Sequence, residues 1–473
     1  MAGKKNEYAL LTKAGGSVGE VVAVNRFVVI ARGLEGASMN ASVVFENGET
    51  GLVRSVKEDS VKILTVSCEG VPIGTMVTLQ NGTLSVPVGE KMLGRTLNAM
   101  LEPIDRQGII ATKQHRPVFS VAPGFDERAI LNQQLETGLS IVDTLFPIVF
   151  GQRIAIMGDA KSGKTTFITQ VAINQARLGR KIVLVLIAKR RTDVNQIISR
   201  LEQAGVRDQV ALVIADVFDS MMMQFLAPYA GCALAEALWQ DGEDTIIMYD
   251  DFSSHAKVYR EISLLLNTNP GRESYPGDMF YMHSSLLERA GKLSKNGKSL
   301  TALPVAVTPN DDISGYLSTN LISMTDGQIV FDVETMYRGI RPAVNVGLSV
   351  SRVGGRAQSH AHKVLAGKVS QVLAQSRQAD QFSHFGTELS RDMKMNLQVG
   401  TLLQTIFNQA PDELFTVFEQ QIMLHTAFLA QDHDDFSIPW MKSVVKEVAK
   451  ADPKTDPADL ARNIIQSSPT VRL

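Results

Sequence analysis

The spacing of apolar residues predicts successive kinds of structure along this chain of 473 residues. Between about residues 16 and 90, apolar residues form short runs rich in Val, Ile and Phe, separated by turns such as Asn47-Gly48 and Asn81-Gly82. Short strands with frequent turn signals indicate a small barrel or sandwich. The predicted strands are 18–22, 27–31, 42–45, 61–66, 76–79 and 84–88.

A different pattern begins near residue 137, where continuous apolar runs alternate with stretches of helical spacing. Repeated strand–helix units of this kind form a mainly parallel sheet with helices on both faces. The predicted strands are 154–157, 182–188, 210–217 and 246–250, and the predicted helices include 193–203 and 220–239.

The pattern changes again after about residue 361, where apolar residues recur only at helical spacing, as in Val369, Val372 and Leu373. The chain is therefore predicted to be multidomain. We expect an N-terminal β-barrel at 1–86, a central α/β domain with a mainly parallel sheet at 87–360, and an all-α C-terminal domain at 361–473.

The strand at 154–157 leads directly into a phosphate-binding loop. The next eight residues match G-x-x-x-x-G-K-[ST], and a helical pattern follows them, which is the context that the motif requires. Glycines let backbone amides turn toward phosphates, the lysine reaches the terminal phosphates, and the hydroxyl binds Mg²⁺. The predicted nucleotide-binding residues are Gly158, Asp159, Ala160, Lys161, Ser162, Gly163, Lys164, Thr165 and Thr166.

An acidic residue at the end of a later strand is the second predicted metal ligand. Asp250 ends the run 246–250, where a carboxylate can hold the Mg²⁺ shell opposite Thr165. The alternative role for Asp250 is a helix N-cap. Asp251 is expected on the other side, because successive residues of a strand point to opposite faces.

Composition limits the classes of partner. A net charge of −2 gives no bulk attraction to nucleic acid. Cys68 and Cys232 lie far apart, which favours packed or free thiols in a reducing compartment over a disulfide framework. The polar start lacks a signal region, and no apolar run is long enough to span a bilayer. Membrane association is therefore expected only through partner subunits.

Six segments of the chain are informative when they are taken together. In chain order they are GQRIAIMGDAKSGKT, IMYDDFSSHAKVYREISLLL, PGRESYPGDMFYMHSSLLERA, LTALPV, STNLISMTDGQI and GIRPAVNVGLSVSRVGG. Together they resemble the alpha subunits of rotary F-type ATP synthases. The GRESYPGD segment and the pair Arg341-Pro342 favour the alpha subunit over the related beta subunit.

The resemblance implies a crown barrel, a nucleotide-binding domain and a helical lower domain, in a ring of alternating alpha and beta subunits around a gamma rotor shaft. It implies ATP or ADP and Mg²⁺ as ligands, with proton translocation in a separate membrane sector. The head is then peripheral to the energy-coupling membrane, on the cytoplasmic face of a bacterial plasma membrane or the matrix side of an organelle.

The N-terminal segment departs from this family. Members usually carry a helical arm that meets the delta subunit or peripheral stalk at the crown, whereas residues 4–13 here can form only a short helix. Either the stalk attaches differently, or the chain belongs to a divergent rotary ATPase.

Catalytic beta subunits carry a Gly-Glu-Arg motif at the end of the strand that follows the phosphate-loop helix, and its glutamate orients the attacking water. Alignment with residues 187–190 puts Ala188 at the carboxylate position, which predicts a site that binds Mg-nucleotide without turning it over. The alternative is that Asp250, Asp251 or Glu273 serves as the base.

This chain has only some of the residues that bind the nucleotide base in the family. Arg341, Pro342 and Gln409 match the family's base-binding residues, whereas Met336 and Pro411 stand where the family has an aromatic residue and a second glutamine.

The phosphate loop also differs, because alpha subunits typically have Arg and Gln where this chain has Ala160 and Lys161. Lys161 either replaces the lost arginine at the phosphates or is solvated.

Arg352, in the segment SVSRVGG, matches the arginine finger that alpha subunits insert into a neighbouring beta site, and Ser323 matches a residue that lines the same interface. A guanidinium can bridge charge on a transferring phosphoryl group. An interdomain ion pair is the alternative role for Arg352.

The leading hypothesis is therefore an alpha-type subunit of a proton-translocating ATP synthase. A self-sufficient hexameric export-type ATPase is the alternative. A ring helicase acting on RNA is disfavoured, because residues 16–90 have mixed charges and only Phe27 and Phe45 as aromatic residues.

Overall fold

The computed structural model describes residues 2–66, 71–384, 390–432 and 436–468, so that Cys68 lies outside the described residues. The chain divides into two compact units. The first comprises Met1–Ile130, Ala176–Thr308 and Asp312–Thr325, and the second comprises Leu131–Gln175, Pro309–Asp311 and Asp326–Leu473.

The strands of the described residues are β1 (Val18–Asn25), β2 (Val28–Arg32), β3 (Ala41–Phe45), β4 (Thr50–Val56), β5 (Val61–Thr65), β6 (Met76–Thr83), β7 (Ser85–Pro87), β8 (Thr96–Leu97), β9 (His115–Pro117), β10 (Gln134–Leu135), β11 (Ile148–Val149), β12 (Ala155–Gly158), β13 (Lys181–Lys189), β14 (Val210–Asp216), β15 (Thr245–Asp250), β16 (Gly291–Lys292), β17 (Ser299–Val307), β18 (Gly327–Phe331) and β19 (Val350–Ser351).

The helices of the described residues are α1 (Ala2–Lys13), α2 (Ser140–Leu145), α3 (Lys164–Arg177), α4 (Arg191–Gln203), α5 (Met221–Gln240), α6 (Phe252–Leu265), α7 (Met279–Leu287), α8 (Tyr316–Met324), α9 (Val333–Tyr337), α10 (His360–His384), α11 (Arg391–Phe407), α12 (Val417–Leu429), α13 (Ile438–Ala451) and α14 (Pro457–Ser467). Within this described set, no helix combines the length and the apolar character needed to cross a bilayer.

After α1, the first unit forms a closed antiparallel barrel in the order β1-β2-β5-β4-β3-β6, which confirms the predicted N-terminal β structure. Its interior is filled by buried aliphatic side chains and Phe45. Strand β4 was not predicted, because Gly51 and polar residues interrupt its apolar pattern. A Cβ atom at Gly51 would lie 2.5 Å from Cγ2 of Ile63, so the close pairing of β4 with β5 requires glycine there.

The first unit also contains a parallel sheet in the order β17-β15-β13-β14-β8, with β16 antiparallel to β17. Continuous apolar runs fill β13, β14 and β15, as expected for strands covered on both faces. In the register of this sheet, Leu186 of β13 lies beside Asp250 at the end of β15. The mainly parallel α/β sheet of the central part is therefore confirmed.

The second unit contains β12 parallel to β18, β19 antiparallel to β18, and helices α10 to α14, which confirms the all-α C-terminal part. The buried carboxylate of Asp143, in α2, makes hydrogen bonds to two separate parts of this unit. Its carboxylate accepts hydrogen bonds from Thr137 N and Oγ1 at 2.8 Å, from Gly138 N at 2.9 Å and from Gln420 Nε2 at 2.9 Å. The segment before α2 is thereby fixed to α12.

A buried ion pair in the first unit gives a test of the fold. The guanidinium of Arg289, which is 1% exposed, donates from Nη2 to Oε2 of Glu236 at 2.6 Å and from Nη1 to the Val118 carbonyl at 2.8 Å. We expect Arg289→Met to lower the free energy of unfolding by about 3–5 kcal/mol, because it leaves the Glu236 carboxylate buried without its partner. Urea unfolding followed by circular dichroism measures this change.

The matched control is Arg338→Met, which removes an ion pair with Glu334 whose side chains are 70% and 73% exposed. That variant should lose less than about 1 kcal/mol. Equal losses for the two variants would contradict the structural role of the buried pair.

Candidate nucleotide-binding site

Strand β12, the phosphate loop and helix α3 follow one another in the second unit as the motif requires. Gly158 ends β12 with φ +148°, and a Cβ atom there would lie 2.4 Å from the Phe331 carbonyl oxygen and 2.8 Å from Ser162 Oγ. Only glycine fits this close approach of the loop to β18. The conformation of the loop therefore requires the first glycine of the motif.

The loop folds around the ammonium group of Lys164. This buried group donates to the carbonyl oxygen of Gly158 at 2.8 Å and to that of Asp159 at 2.6 Å. Half-buried Thr165 and Thr166 follow in the first turn of α3. An ammonium and a helix N-terminus at the same point form a binding site for phosphate.

Asp159 joins the loop to the turn at Pro309–Asp311. Its carboxylate accepts from Ala160 N at 2.6 Å and from Asn310 N at 3.0 Å, while its own N–H donates to Asp311 Oδ1 at 3.3 Å. The sequence did not indicate this link, because the partners lie about 150 residues apart. Lys161 is exposed, with φ +63°, which leaves both of its predicted roles open.

A cavity of about 120 Å³ lies beside the loop within the second unit. The structure places Arg341, Pro342 and Gln409 around it, together with Met336 and Pro411. Phe167 and Phe331, whose ring centroids are 5.3 Å apart, form part of its apolar wall. The full lining is Ser162, Gly163, Thr166, Phe167, Gln170, Phe331, Met336, Arg341, Pro342, Ala343, Gln409 and Pro411.

Four of the lining residues were not predicted from the sequence: Phe167, Gln170, Phe331 and Ala343. Gln170 stands one helical turn after Thr166, so the spacing in α3 could have indicated it. Its amide nitrogen donates to the Pro411 carbonyl at 2.8 Å. Phe331 reaches the cavity through the pairing of β18 with β12, which no local pattern encodes.

Both the oxygen and the nitrogen of the Gln409 amide make hydrogen bonds to backbone groups of the second unit. Its oxygen accepts from Ser140 N at 2.7 Å, and its nitrogen donates to the carbonyls of Gly138 at 3.0 Å and Glu413 at 2.7 Å. The side chain is 2% exposed. This amide therefore holds the C-terminal helices against the segment before α2, in addition to its place at the edge of the cavity.

Asp250 and Asp251 lie in the first unit, and both contact Lys189 at the end of β13. Lys189 Nζ is 2.7 Å from Asp250 Oδ1 and 3.4 Å from Asp251 Oδ2. Burial disfavours the ammonium form, but the charges of both aspartates raise the pKa of Lys189 above its ordinary value. Lys189 is therefore a cation at neutral pH.

The structure corrects the expectation that Asp251 points away from Asp250. Strand β15 ends at Asp250, and Asp251 is the N-cap of α6, where its carboxylate accepts from Ser254 N at 2.6 Å. Strand alternation does not extend to a capping residue. The N-cap role considered for Asp250 thus belongs to Asp251.

The backbone at the end of β13 also corrects the assignment of Ala188 to the carboxylate position. Ala188 has φ +52°, a conformation that favours glycine, and the pairing of β13 with β14 shifts register between Ile187 and Lys189. Ala188 therefore fits the glycine of the Gly-Glu-Arg motif better than its glutamate, which would put Lys189 at the glutamate position. Glu273, another candidate base, is exposed and accepts from Tyr316 N at 3.3 Å.

Arg352 follows β19 in the second unit, and its side chain is exposed. Its backbone N–H donates to the Asp326 carbonyl at 3.0 Å, and Asp326 forms an ion pair with Arg153 at 2.9 Å. Ser351 Oγ donates to the Pro147 carbonyl at 2.7 Å. The loop that carries Arg352 is therefore firmly held. Ser323, in α8 of the first unit, is exposed and donates to the Thr319 carbonyl at 2.9 Å.

Comparison with known proteins covers the same parts of the chain. The family model described as "ATP synthase alpha/beta family, nucleotide-binding domain" matches residues 138–351, and that of the "ATP synthase alpha/beta chain, C terminal domain" matches residues 358–467. A Neorickettsia sennetsu protein named ATP synthase subunit alpha is 42% identical over 87% of this chain and 83% of its own length. This chain belongs to the ATP synthase alpha/beta family.

Other relatives of the same name agree with this assignment. An ATP synthase subunit alpha of Wolbachia sp. subsp. Drosophila simulans is 40% identical, and one of Rickettsia bellii is 42% identical. Each comparison covers 86% of this chain and 82% of the relative. The resemblance to alpha subunits in the sequence is thereby confirmed, and the nucleotide-binding family model includes the whole phosphate loop.

The position of Gln409 in this member of the family predicts a structural effect of its removal. Gln409→Met leaves Ser140 N and the Glu413 carbonyl without this partner. It also removes one of the two hydrogen bonds to the Gly138 carbonyl, which still accepts from Phe415 N at 3.1 Å. We expect a loss of about 2–4 kcal/mol in the free energy of unfolding, measured by urea unfolding, because unsatisfied buried polar groups are costly.

Gln203→Met is the matched control, because Gln203 is exposed at the end of α4. Its effect should stay within about 0.5 kcal/mol. If Gln409→Met instead retains full stability and loses only affinity for ATP, the amide serves the nucleotide and not the fold.

Proposed function

We propose that this chain is an alpha-type subunit in the soluble head of a rotary, proton-translocating ATP synthase. It binds ATP or ADP at a non-catalytic, regulatory site and supplies Arg352 as an arginine finger to the catalytic site of a neighbouring beta subunit. As a subunit, it belongs to an H⁺-transporting two-sector ATPase that couples ATP synthesis to ion transport.

The observation that most supports a non-catalytic site is Lys189. An ammonium cannot accept a proton from water or align it for attack, as the glutamate of catalytic relatives does. The two neighbouring carboxylates, Asp250 and Asp251, are already paired with this ammonium and with the α6 N-terminus. They are therefore poorly suited to replace the missing base.

Nucleotide binding rests on the loop from Gly158 to Thr166 and on the adjoining cavity. Lys164 and the N-terminus of α3 would bind the phosphates, and Phe167, Phe331, Arg341 and Pro342 would surround the base. Bound Mg²⁺ would neutralise phosphate charge, with the Thr165 hydroxyl as its ligand in the second unit. Asp250 fits this metal poorly, since its carboxylate is paired with Lys189.

Arg352 is suited to act outside its own chain. Its exposed guanidinium lies on a loop whose backbone is fixed through Asp326 and Ser351, so that the point from which it reaches a neighbour is well defined. Ser323 would line the same subunit interface.

In the proposed assembly, beta subunits alternate with this chain around a gamma shaft, and a delta or peripheral-stalk subunit meets the barrel. The barrel, nucleotide-binding and helical domains would span 1–86, 87–360 and 361–473. No nucleic acid takes part, and the chain would reach the membrane only through other subunits, on its cytoplasmic or matrix side.

The phosphate loop gives the first test of this function. Lys164→Met should weaken ATP binding by the purified chain about 10- to 150-fold, the effect of losing a charged hydrogen bond worth about 1.5–3 kcal/mol. Isothermal titration calorimetry measures this affinity. Lys161→Met in the same assay decides whether that exposed lysine also contacts the phosphates. Unchanged affinity in Lys164→Met would contradict the proposed site.

Arg352 gives the second test. In an assembly with cognate beta and gamma subunits, Arg352→Ala should lower ATP turnover about 10³- to 10⁵-fold, the usual effect of removing an arginine finger. Arg356→Ala, at an exposed arginine four positions later, should keep full turnover. The chain alone should hydrolyse no ATP. Rapid hydrolysis by the chain alone would favour the self-sufficient export-type ATPase.

A further inference from the structure

Two histidines of the first unit, His255 in α6 and His283 in α7, contact each other in its interior. His255 Nδ1 lies 3.0 Å from His283 Nε2, and His255 Nε2 lies 3.0 Å from the carbonyl oxygen of Phe225 in α5. The two histidines are 0% and 4% exposed. A short chain of hydrogen bonds through two imidazole rings therefore joins three helices at a buried point.

The carbonyl of Phe225 fixes the positions of the hydrogens in this pair. A carbonyl oxygen only accepts hydrogen bonds, so His255 Nε2 carries a hydrogen and donates it. In neutral His255, Nδ1 is then an acceptor, and His283 Nε2 carries the hydrogen that it accepts. A second hydrogen on His255, at Nδ1, would point at the hydrogen of His283 Nε2 and break the contact.

The surroundings of the pair disfavour a positive charge. Burial lowers the pKa of His255 to about 4, and burial together with the neighbouring His255 lowers the pKa of His283 well below its ordinary value. The ring of Phe225 is stacked on that of His255, with centroids 5.5 Å apart, and the guanidinium of Arg54 in β4 lies 5.0 Å from the centroid of the same Phe225 ring. This cation and the N-terminus of α6 would both repel a charge on His255.

The other titratable side chains around the pair already have partners. Tyr229 of α5 donates from its hydroxyl to a backbone carbonyl of α7 at 3.2 Å, and Tyr259 of α6 donates to Asp278 Oδ2 at 2.6 Å. The carboxylate of Asp251 caps α6 and contacts the ammonium of Lys189 at 3.4 Å. Strand β17, which also packs against α6, has no titratable residue. These groups are therefore not available to neutralise an imidazolium.

Aromatic rings also cover His283. The ring centroid of Phe252 lies 4.4 Å from that of His283, and the ring of Tyr249 in β15 lies 5.1 Å from that of Phe252. Burial raises the pKa of Tyr249 well above its ordinary value, so this phenol is uncharged at neutral and acid pH. It therefore offers no negative charge to the pair.

We propose that the contact between His255 and His283 is acid-sensitive, and that it holds α5, α6 and α7 together only while both imidazoles are neutral. The first unit thereby responds to acidification of its surroundings. The inference goes beyond the proposed function and does not depend on the nucleotide site, which lies in the second unit.

The direction of the pH effect follows from proton uptake. In the unfolded chain a histidine has a pKa of about 6.5 and takes up a proton below that pH, whereas the folded contact excludes it. The stability that the pair contributes is therefore fully present above about pH 6.5. It is lost as the pH falls toward the lowered pKa of His255 in the folded chain.

The experiment measures urea unfolding of the full-length chain at pH 7 and pH 5 by tryptophan fluorescence. A Trp440→Phe background leaves Trp239 of α5, which is 1% exposed, as the single tryptophan and as a reporter of the first unit. The test variant is His255→Gln, because an amide can donate to the Phe225 carbonyl and accept from His283 Nε2 without titrating.

Between these two pH values, the unfolding equilibrium constant should rise about 20-fold more in the chain that keeps His255 than in His255→Gln. The matched control is His115→Gln, at an exposed histidine of β9, which should keep the pH dependence of the chain with His255. An equal pH dependence with His255 and with His255→Gln would overturn the acid-sensitive contact.

Nitrogen NMR of the wild-type chain labelled at histidine gives a readout that does not require the variant to fold. A coupling across the N–H···N hydrogen bond identifies the two rings, and both should remain neutral Nε2–H tautomers at pH 5.5. Absence of this coupling at pH 7, or an imidazolium signal from either ring in the folded chain at pH 5.5, would equally overturn the inference. Neither result would bear on the tests of Lys164 and Arg352.

Discussion

A charge removed from water must meet a partner, and two lysines of this chain meet that requirement in different ways. Lys164 is held by backbone carbonyls of its own loop, which are dipoles that a phosphate can supplement. Lys189 is neutralised by two full carboxylate charges. The first arrangement suits an anion-binding loop, and the second suits a closed structural cluster. The difference separates a loop that can accept a further anion from a cluster whose charges are already paired with one another.

Binding and cleavage make separate demands on a fold. Binding requires a loop conformation, which Gly158 and the approach of β18 impose, together with a cavity of suitable shape. Cleavage requires one further group, placed to orient a water molecule. A single substitution at the end of β13 can therefore abolish the second ability while the sheet, the loop and the cavity remain. In an assembly of subunits, such a chain can still contribute to catalysis if it presents a cation such as Arg352 to a neighbour.

The sequence was most informative where the physics is local. The spacing of apolar residues predicted the barrel, the parallel strands and the C-terminal helices. The loop motif, which begins at Gly158, predicted the helix that starts at Lys164. It failed at β4, where Gly51 breaks the apolar pattern because the neighbouring strand comes too close for a side chain. It also missed the contacts of Asp159 with Asn310 N and of Gln409 with Ser140 N, which join groups far apart along the chain.

The end of β13 illustrates why motif alignment requires backbone geometry. The letters Ile-Ala-Lys-Arg can be matched to Gly-Glu-Arg in two registers, and the sequence alone favoured the register that put Ala188 at the carboxylate position. A positive φ at Ala188 decides for the other register, because the glycine of the motif is the residue suited to that conformation. In that register, the residue matched to the glutamate is a lysine and not an alanine. An ammonium cannot accept a proton, and at this position it pairs with the carboxylates of Asp250 and Asp251.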